Sequence, residues 1–156
     1  MEAEPLRALS IMHPWAAAIA YGTKSVENRT WPAPRWIIGE TIAIHASKKP
    51  DISARLPAGE SWPEHRMHLG AVIALAVVTG CHHSDECMLP ASVVPASGRT
   101  GCSPWAIRGQ WHIDLADVRP LAEPVPCRGS LGLWRLPEDA EKAVRAQLGE
   151  DGNHGR

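Results

Sequence analysis

Phenylalanine is absent from this 156-residue chain and tyrosine occurs once, so seven tryptophans must supply nearly all of the aromatic packing. Long apolar runs are missing as well. The longest, "AVIALAVV" at 71–78, falls well short of the roughly 20 residues that a membrane-spanning helix needs. The first residues, "MEAEPLRALS", lack the basic start and the continuous apolar stretch of a signal peptide. A cytoplasmic protein with no membrane association is therefore expected, its cysteines (Cys81, Cys87, Cys102, Cys127) present as reduced thiols. Charge of one sign is scarce: the formal net charge is −1 and the pI about 6.7, so no global positive field draws in nucleic acid. Any such binding needs a local basic patch. A Walker loop, a dinucleotide glycine fingerprint, H-E-x-x-H and G-x-S-x-G are all missing, which removes the common nucleotide, zinc-protease and serine-hydrolase readings.

What is present is ordinary globular material, 44% apolar and 21% charged, enough for one domain with a real core. "LSIMHPWAAAIAYG" reads as a short strand and then a helix. Pro14 suits the first turn, Gly22 the stop, and Ala16, Ile19 and Ala20 form the inward face. "KSVENRTW" reads as extended. "ETIAIHAS" alternates, with Ile42 and Ile44 on one side and Thr41, Ala43 and His45 on the other. "GAVIALAVVTG" predicts a buried strand, "QWHIDLADV" a strand with Trp111, Ile113 and Leu115 inward, and "GSLGLWRL" a last strand. "PEDAEKAVRAQLG" opens with proline and acids, as a closing helix does. Two long irregular stretches, about 50–68 and 82–104, interrupt this order, and 150–156 is expected to be a disordered tail. The fold class is α+β, a small mixed or antiparallel barrel of five to six strands with two or three flanking helices.

The stretch "GTKSVENRTW" places Lys24, Glu27 and Arg29 close together before Trp31. In a strand Glu27, Arg29 and Trp31 share a face, so they read either as a surface ion pair of little energetic value or as a working site. In the second case Arg29 forks onto a phosphate or carbonyl while Glu27 holds it in place. Arginine outnumbers lysine twelve to four, which suits such forks. Trp15, Trp111 and Trp134 fall in regular elements and are expected in the core. Trp31, Trp36, Trp62 and Trp105 fall at strand ends or in loops, Trp31 being the best placed to stack a base. "CHHSDEC" (81–87) offers ligand types for zinc in no standard spacing, and Cys102 could join only if the loop folds back. Packed thiols and loop histidines are the expectation; no metal ligand and no cofactor is assigned.

Four separated segments, "LSIMHPWAAAIAYGTKSVENRTW", "IAIHASKKP", "GAVIALAVV" and "PCRGSLGLWRL", resemble the activating signal cointegrator homology (ASCH) domains of the PUA-like superfamily. Gly22, Lys24, Glu27 and Arg29 match that family's G-x-K-x-x-E-x-R signature in full, and "HASKKP" is similar to the eukaryotic coactivator branch. The resemblance covers most of residues 1–149 as a single domain. It implies a PUA-like β-barrel with a cleft lined by the signature, and work on nucleic acid, mostly RNA. One small bacterial branch hydrolyses N4-acetylcytidine with a threonine three residues after the lysine, where this chain has Glu27.

The resemblance thus implies a binding cleft for single-stranded RNA or a nucleotide-like small ligand, DNA being a weaker candidate. Its expected residues are Lys24, Glu27, Arg29, Trp31, His45, Lys48, Lys49 and Gly129, with the glycines of "CRGSLG" at the cleft floor. The alternative is a metal-independent hydrolase in the same cleft, an N4-acetylcytidine amidohydrolase or a single-strand ribonuclease. There Glu27 would position water or take a 2′-hydroxyl proton, and Lys24 would polarise a carbonyl or steady charge on phosphorus.

Overall fold

In the computed structural model, which describes residues 4–60, 68–87 and 102–154, six strands join into one curled, half-barrel sheet. The strands are β1 (Arg7–Ile11), β2 (Val26–Arg29), β3 (Thr41–Ala46), β4 (Ala71–His83), β5 (Trp111–Pro126) and β6 (Leu133–Arg135). Their order across the sheet is β2-β5-β4-β3-β1-β6; β1 runs parallel to β3 and every other pair is antiparallel. Two α-helices, α1 (Trp15–Tyr21) and α2 (Glu138–His154), complete the α+β fold, with single 3₁₀ turns at Arg35–Ile37 and Ser84–Glu86. Register shifts between Ile44 and His45 and at three places along β4 bend the sheet. Among the described residues no helix is long and apolar enough to cross a membrane.

Both faces of the sheet are covered, and the two-residue period of β3 shows how. Ile42 and Ile44 enter one core with Leu9, Ile73 and the α1 residues Ala16, Ile19 and Ala20. Ala43 enters the other, with Val72, Leu75, Trp134 and the α2 residues Ala140 and Val144. Helix α1 starts after a cis His13–Pro14 peptide, and the buried His13 ring accepts the N–H of Ala17 through Nδ1. Desolvation holds His13 below its ordinary pKa, as suits a neutral ring inside the core. At the helix end Gly22 is required by close approach, since a Cβ there would lie 2.9 Å from the carbonyl oxygen of Ala18.

Three elements differ from the sequence reading. β4 continues through Cys81–His83, so the irregular connection begins later than 82. β5 is far longer than "QWHIDLADV" and runs through three prolines to Pro126. Only residues 111–114 of β5 also pair with β2, so beyond Leu115 it is an edge strand, where a missing N–H costs nothing. The last strand shrinks to three residues. Trp111, expected inward, is only half-buried, and it is His112 that is fully enclosed. Trp62 lies outside the described residues.

Helix α2 ties the start of the chain to its end. The Glu141 carboxylate accepts the backbone N–H of Leu6 at 2.9 Å and pairs with Arg145, which also donates to the Glu4 carbonyl. The bond from Leu6 is the main reason that the Glu141 pKa sits below its ordinary value of 4.5. A carboxyl that gives up its proton more readily when folded stabilises the fold above 4.5 and loses that contribution as pH falls through its lower folded value. Glu141→Gln is therefore expected to cost about 1 kcal/mol at neutral pH and much less in the acid range. Urea unfolding of both proteins at neutral and acid pH reads the difference.

Candidate functional site

The turn after α1 sets Lys24. Its backbone N–H donates to the same Ala18 carbonyl that Gly22 uses, and this turns the side chain inward under β2. There the ammonium donates to the Val26 carbonyl and to Glu27 Oε1, the latter at 3.3 Å. The other Glu27 oxygen receives the Arg29 Nε at 3.1 Å and the Nη2 at 3.0 Å, and Nη2 also donates to the Ser10 carbonyl at 2.7 Å. One carboxylate thus bridges two cations, leaving a net single positive charge. Side-chain exposure falls from 22% at Arg29 to 8% at Glu27 and 2% at Lys24, so the guanidinium is the part that faces outward. It stands over the Trp31 ring, 5.8 Å from the centroid, as the shared strand face required.

These four residues line one cavity of about 430 Å³. The sequence reading missed its opposite wall. Trp15, expected in the core, is half-buried at the cavity with its indole N–H on Asp51 at 3.0 Å. Trp105, expected in a loop, is 3% exposed, edge-on to Trp15 and donating to Thr23 Oγ1. Asn28, on the opposite face of β2 from the triad, holds that wall in place: it donates to the Trp105 carbonyl and accepts the Ile107 N–H. Trp36 is elsewhere, 58% exposed beside Arg7.

His45, Lys48, Lys49 and Gly129 line a second, wider hollow of about 1130 Å³. It shares Ser10, Met12 and Arg29 with the first, so Arg29 stands at the junction of the two. Arg29, Lys48, Lys49 and Arg128 are its charged residues, and no described aspartate or glutamate lines it. They form a local basic patch on a near-neutral chain. His45 is 1% exposed and engaged on both nitrogens, with Nδ1 on Ser10 Oγ at 3.0 Å and Nε2 on the Cys127 carbonyl at 2.9 Å. Desolvation, against the weaker pull of the Cys127 carbonyl, lowers its pKa. It supports the wall as a neutral ring. Gly129 presses on that ring, since a Cβ there would stand 2.7 Å from His45 Cε1. Neither hollow gathers metal ligands among the described residues; the one such group, His82, Cys87, Cys102 and His112, adjoins the cavity wall through the bond from His112 to Ile107.

The ASCH-domain family model matches residues 9–119. The crystal structure of an ASCH protein from Zymomonas mobilis superposes with a TM-score of 0.53 at 16% identity, covering 91% of this chain and 94% of that one. A tyrosine-to-phenylalanine variant of the same protein gives a TM-score of 0.55, again at 16% identity, covering 92% of this chain and 98% of that one. At that identity the likeness speaks for the fold. Comparison with curated proteins finds no match. With the family model spanning well over half of the chain, the chain belongs to the ASCH-domain family.

Proposed function

We propose that this domain binds single-stranded RNA or a nucleotide-like ligand, seating one base in the small cavity and running the phosphates along the basic hollow. The observation that carries this reading is the junction at Arg29 between an indole-walled cavity and a hollow whose charged residues are all cations. A cavity of about 430 Å³ has the size of a small-molecule pocket. A base inside a duplex enters such a space only after flipping out, whereas an unpaired base enters at once, so single strands are preferred over duplex DNA. Arg29 supplies a planar donor fork beside the cavity; Lys48, Lys49 and Arg128 act as point and fork charges on the backbone.

Binding has more support than hydrolysis. Both Glu27 oxygens are held by cations, so taking a proton or placing a water would require an ion pair to break first. A cytoplasmic setting fits four cysteines of which none is in a disulfide.

Fluorescence anisotropy with a short labelled single-stranded RNA tests the reading. With three or four phosphates neutralised, the logarithm of affinity should fall against log salt with a slope of about −2 to −3. Lys48→Ala/Lys49→Ala, on the open hollow, should reduce that slope by about one unit or more. Affinity indifferent to salt, or a slope unchanged in the double variant, contradicts the proposed backbone path.

A further inference from the structure

The geometry points to a structural zinc site formed by His82, Cys87, Cys102 and His112, independent of what the cavity binds. His82 and His112 are register partners on β4 and β5, their rings edge-to-face at 5.0 Å. Cys87 follows the Ser84–Glu86 turn, which is held by Ser84 N–H on the Gln110 carbonyl and Gly109 N–H on Ser84 Oγ. Cys102 returns from the far end of the β4–β5 connection, so the two thiols bracket residues 88–101.

The four potential ligand atoms lie within 4.8 Å of one another. His82 Nε2 and His112 Nδ1 are 3.3 Å apart; Cys87 Sγ is 3.3 Å from the first and 3.5 Å from the second, and Cys102 Sγ is 3.4 Å from His112 Nδ1. A tetrahedron with Zn–S of about 2.3 Å and Zn–N of about 2.0–2.1 Å has N–N edges of about 3.3 Å and S–N edges of about 3.5 Å. The observed separations are those edges.

The outer partners fix which nitrogen faces the centre. His112 Nε2 lies 2.8 Å from the Ile107 carbonyl, which can only accept, so Nε2 carries the proton and Nδ1 presents a lone pair. His82 Nδ1 faces the Asp114 carboxylate at 3.4 Å, so its Nε2 does the same. Two lone pairs 3.3 Å apart, with thiols as weak donors around them, make a poor hydrogen-bond cluster and a complete Cys₂His₂ ligand set. Asp114 and the Ile107 carbonyl then act as the outer shell that orients zinc-bound histidines. Soft thiolates with imidazoles in tetrahedral array select zinc over magnesium or calcium. On binding, four metal–ligand bonds form, the two thiol protons pass to solvent, and no electron is transferred.

The full chain, purified without chelator, should retain about one zinc per molecule. After exchange for cobalt(II) it should show the visible bands of a tetrahedral site with thiolate-to-cobalt charge transfer. Cys102→Ser should weaken that charge transfer and reduce zinc affinity by at least about tenfold, and Asp114→Asn, at a half-exposed outer position, by about 10- to 100-fold. Cys127→Ser, which lies in the other hollow, should leave both unchanged. Should Cys102→Ser fail to fold, Asp114→Asn and the wild-type cobalt spectrum still decide. Failure to hold zinc after reconstitution under reducing conditions, a Cys87–Cys102 disulfide in freshly purified chain, or undiminished uptake in the Cys102→Ser and Asp114→Asn variants overturns the site.

Discussion

Glu27→Ala is expected to destabilise the domain by about 3–5 kcal/mol, a large part of the 5–15 kcal/mol that holds a domain of this kind folded. The cost comes from what stays behind. The Lys24 ammonium is almost wholly enclosed, and Glu27 is the carboxylate that balances it; Arg29 leans on the same group. Deleting the anion leaves two neighbouring cations, one of them cut off from water. Glu27→Gln keeps the shape and one acceptor, so it should cost less than the alanine. Replacing Lys24 and Glu27 together, by methionine and leucine, removes the buried charges as a pair and should recover most of the stability while abolishing ligand binding. Urea unfolding of the set separates a buried ion network from a surface pair. A loss below about 1 kcal/mol for Glu27→Ala would mean that the pair behaves as an exposed one.

Arg29→Ala should act in the opposite sense, with a modest effect on folding and a large one on binding. Hydrogen bonds from a charged donor are worth about 1.5–3 kcal/mol, so losing the fork at the junction should weaken RNA binding about 10- to 150-fold. Arg29→Lys should recover only part of this, because an ammonium keeps the charge but not the planar pair of donors. Anisotropy titrations of the three proteins at two salt concentrations make the comparison: the alanine should also lower the salt slope, and the lysine should restore the slope more fully than the affinity. Equal affinity in all three would remove Arg29 from the interface.

The sequence disclosed the near half of the site and hid the far half. The period of a strand places Glu27 and Arg29 on one face of β2, and a helix stop at Gly22 delivers Lys24 beneath them; these are local relations. The opposite wall depends on Asn28 meeting Trp105 and Ile107 nearly eighty positions later, and no local pattern reports that. The prolines of β5 are compatible with a strand only because its second neighbour, β2, is so short, a property of the assembled sheet. "CHHSDEC" likewise shows only part of what the sheet assembles, and the sequence admits Cys102 only if the loop folds back. Of its cysteines and histidines only His82 and Cys87 join the cluster, and the other two members, Cys102 and His112, arrive from beyond residue 101.

Whether Lys24, Glu27 and Arg29 line a ligand cavity is read by titrating the isotope-labelled chain with a short single-stranded RNA and following the indole N–H resonances. Trp15, Trp31 and Trp105 line that cavity, whereas Trp36 lies apart from it. The first three should shift together along one saturable curve while Trp36 stays in place. Shifts confined to Trp36, or none among the three at saturating RNA, would contradict a ligand cavity there.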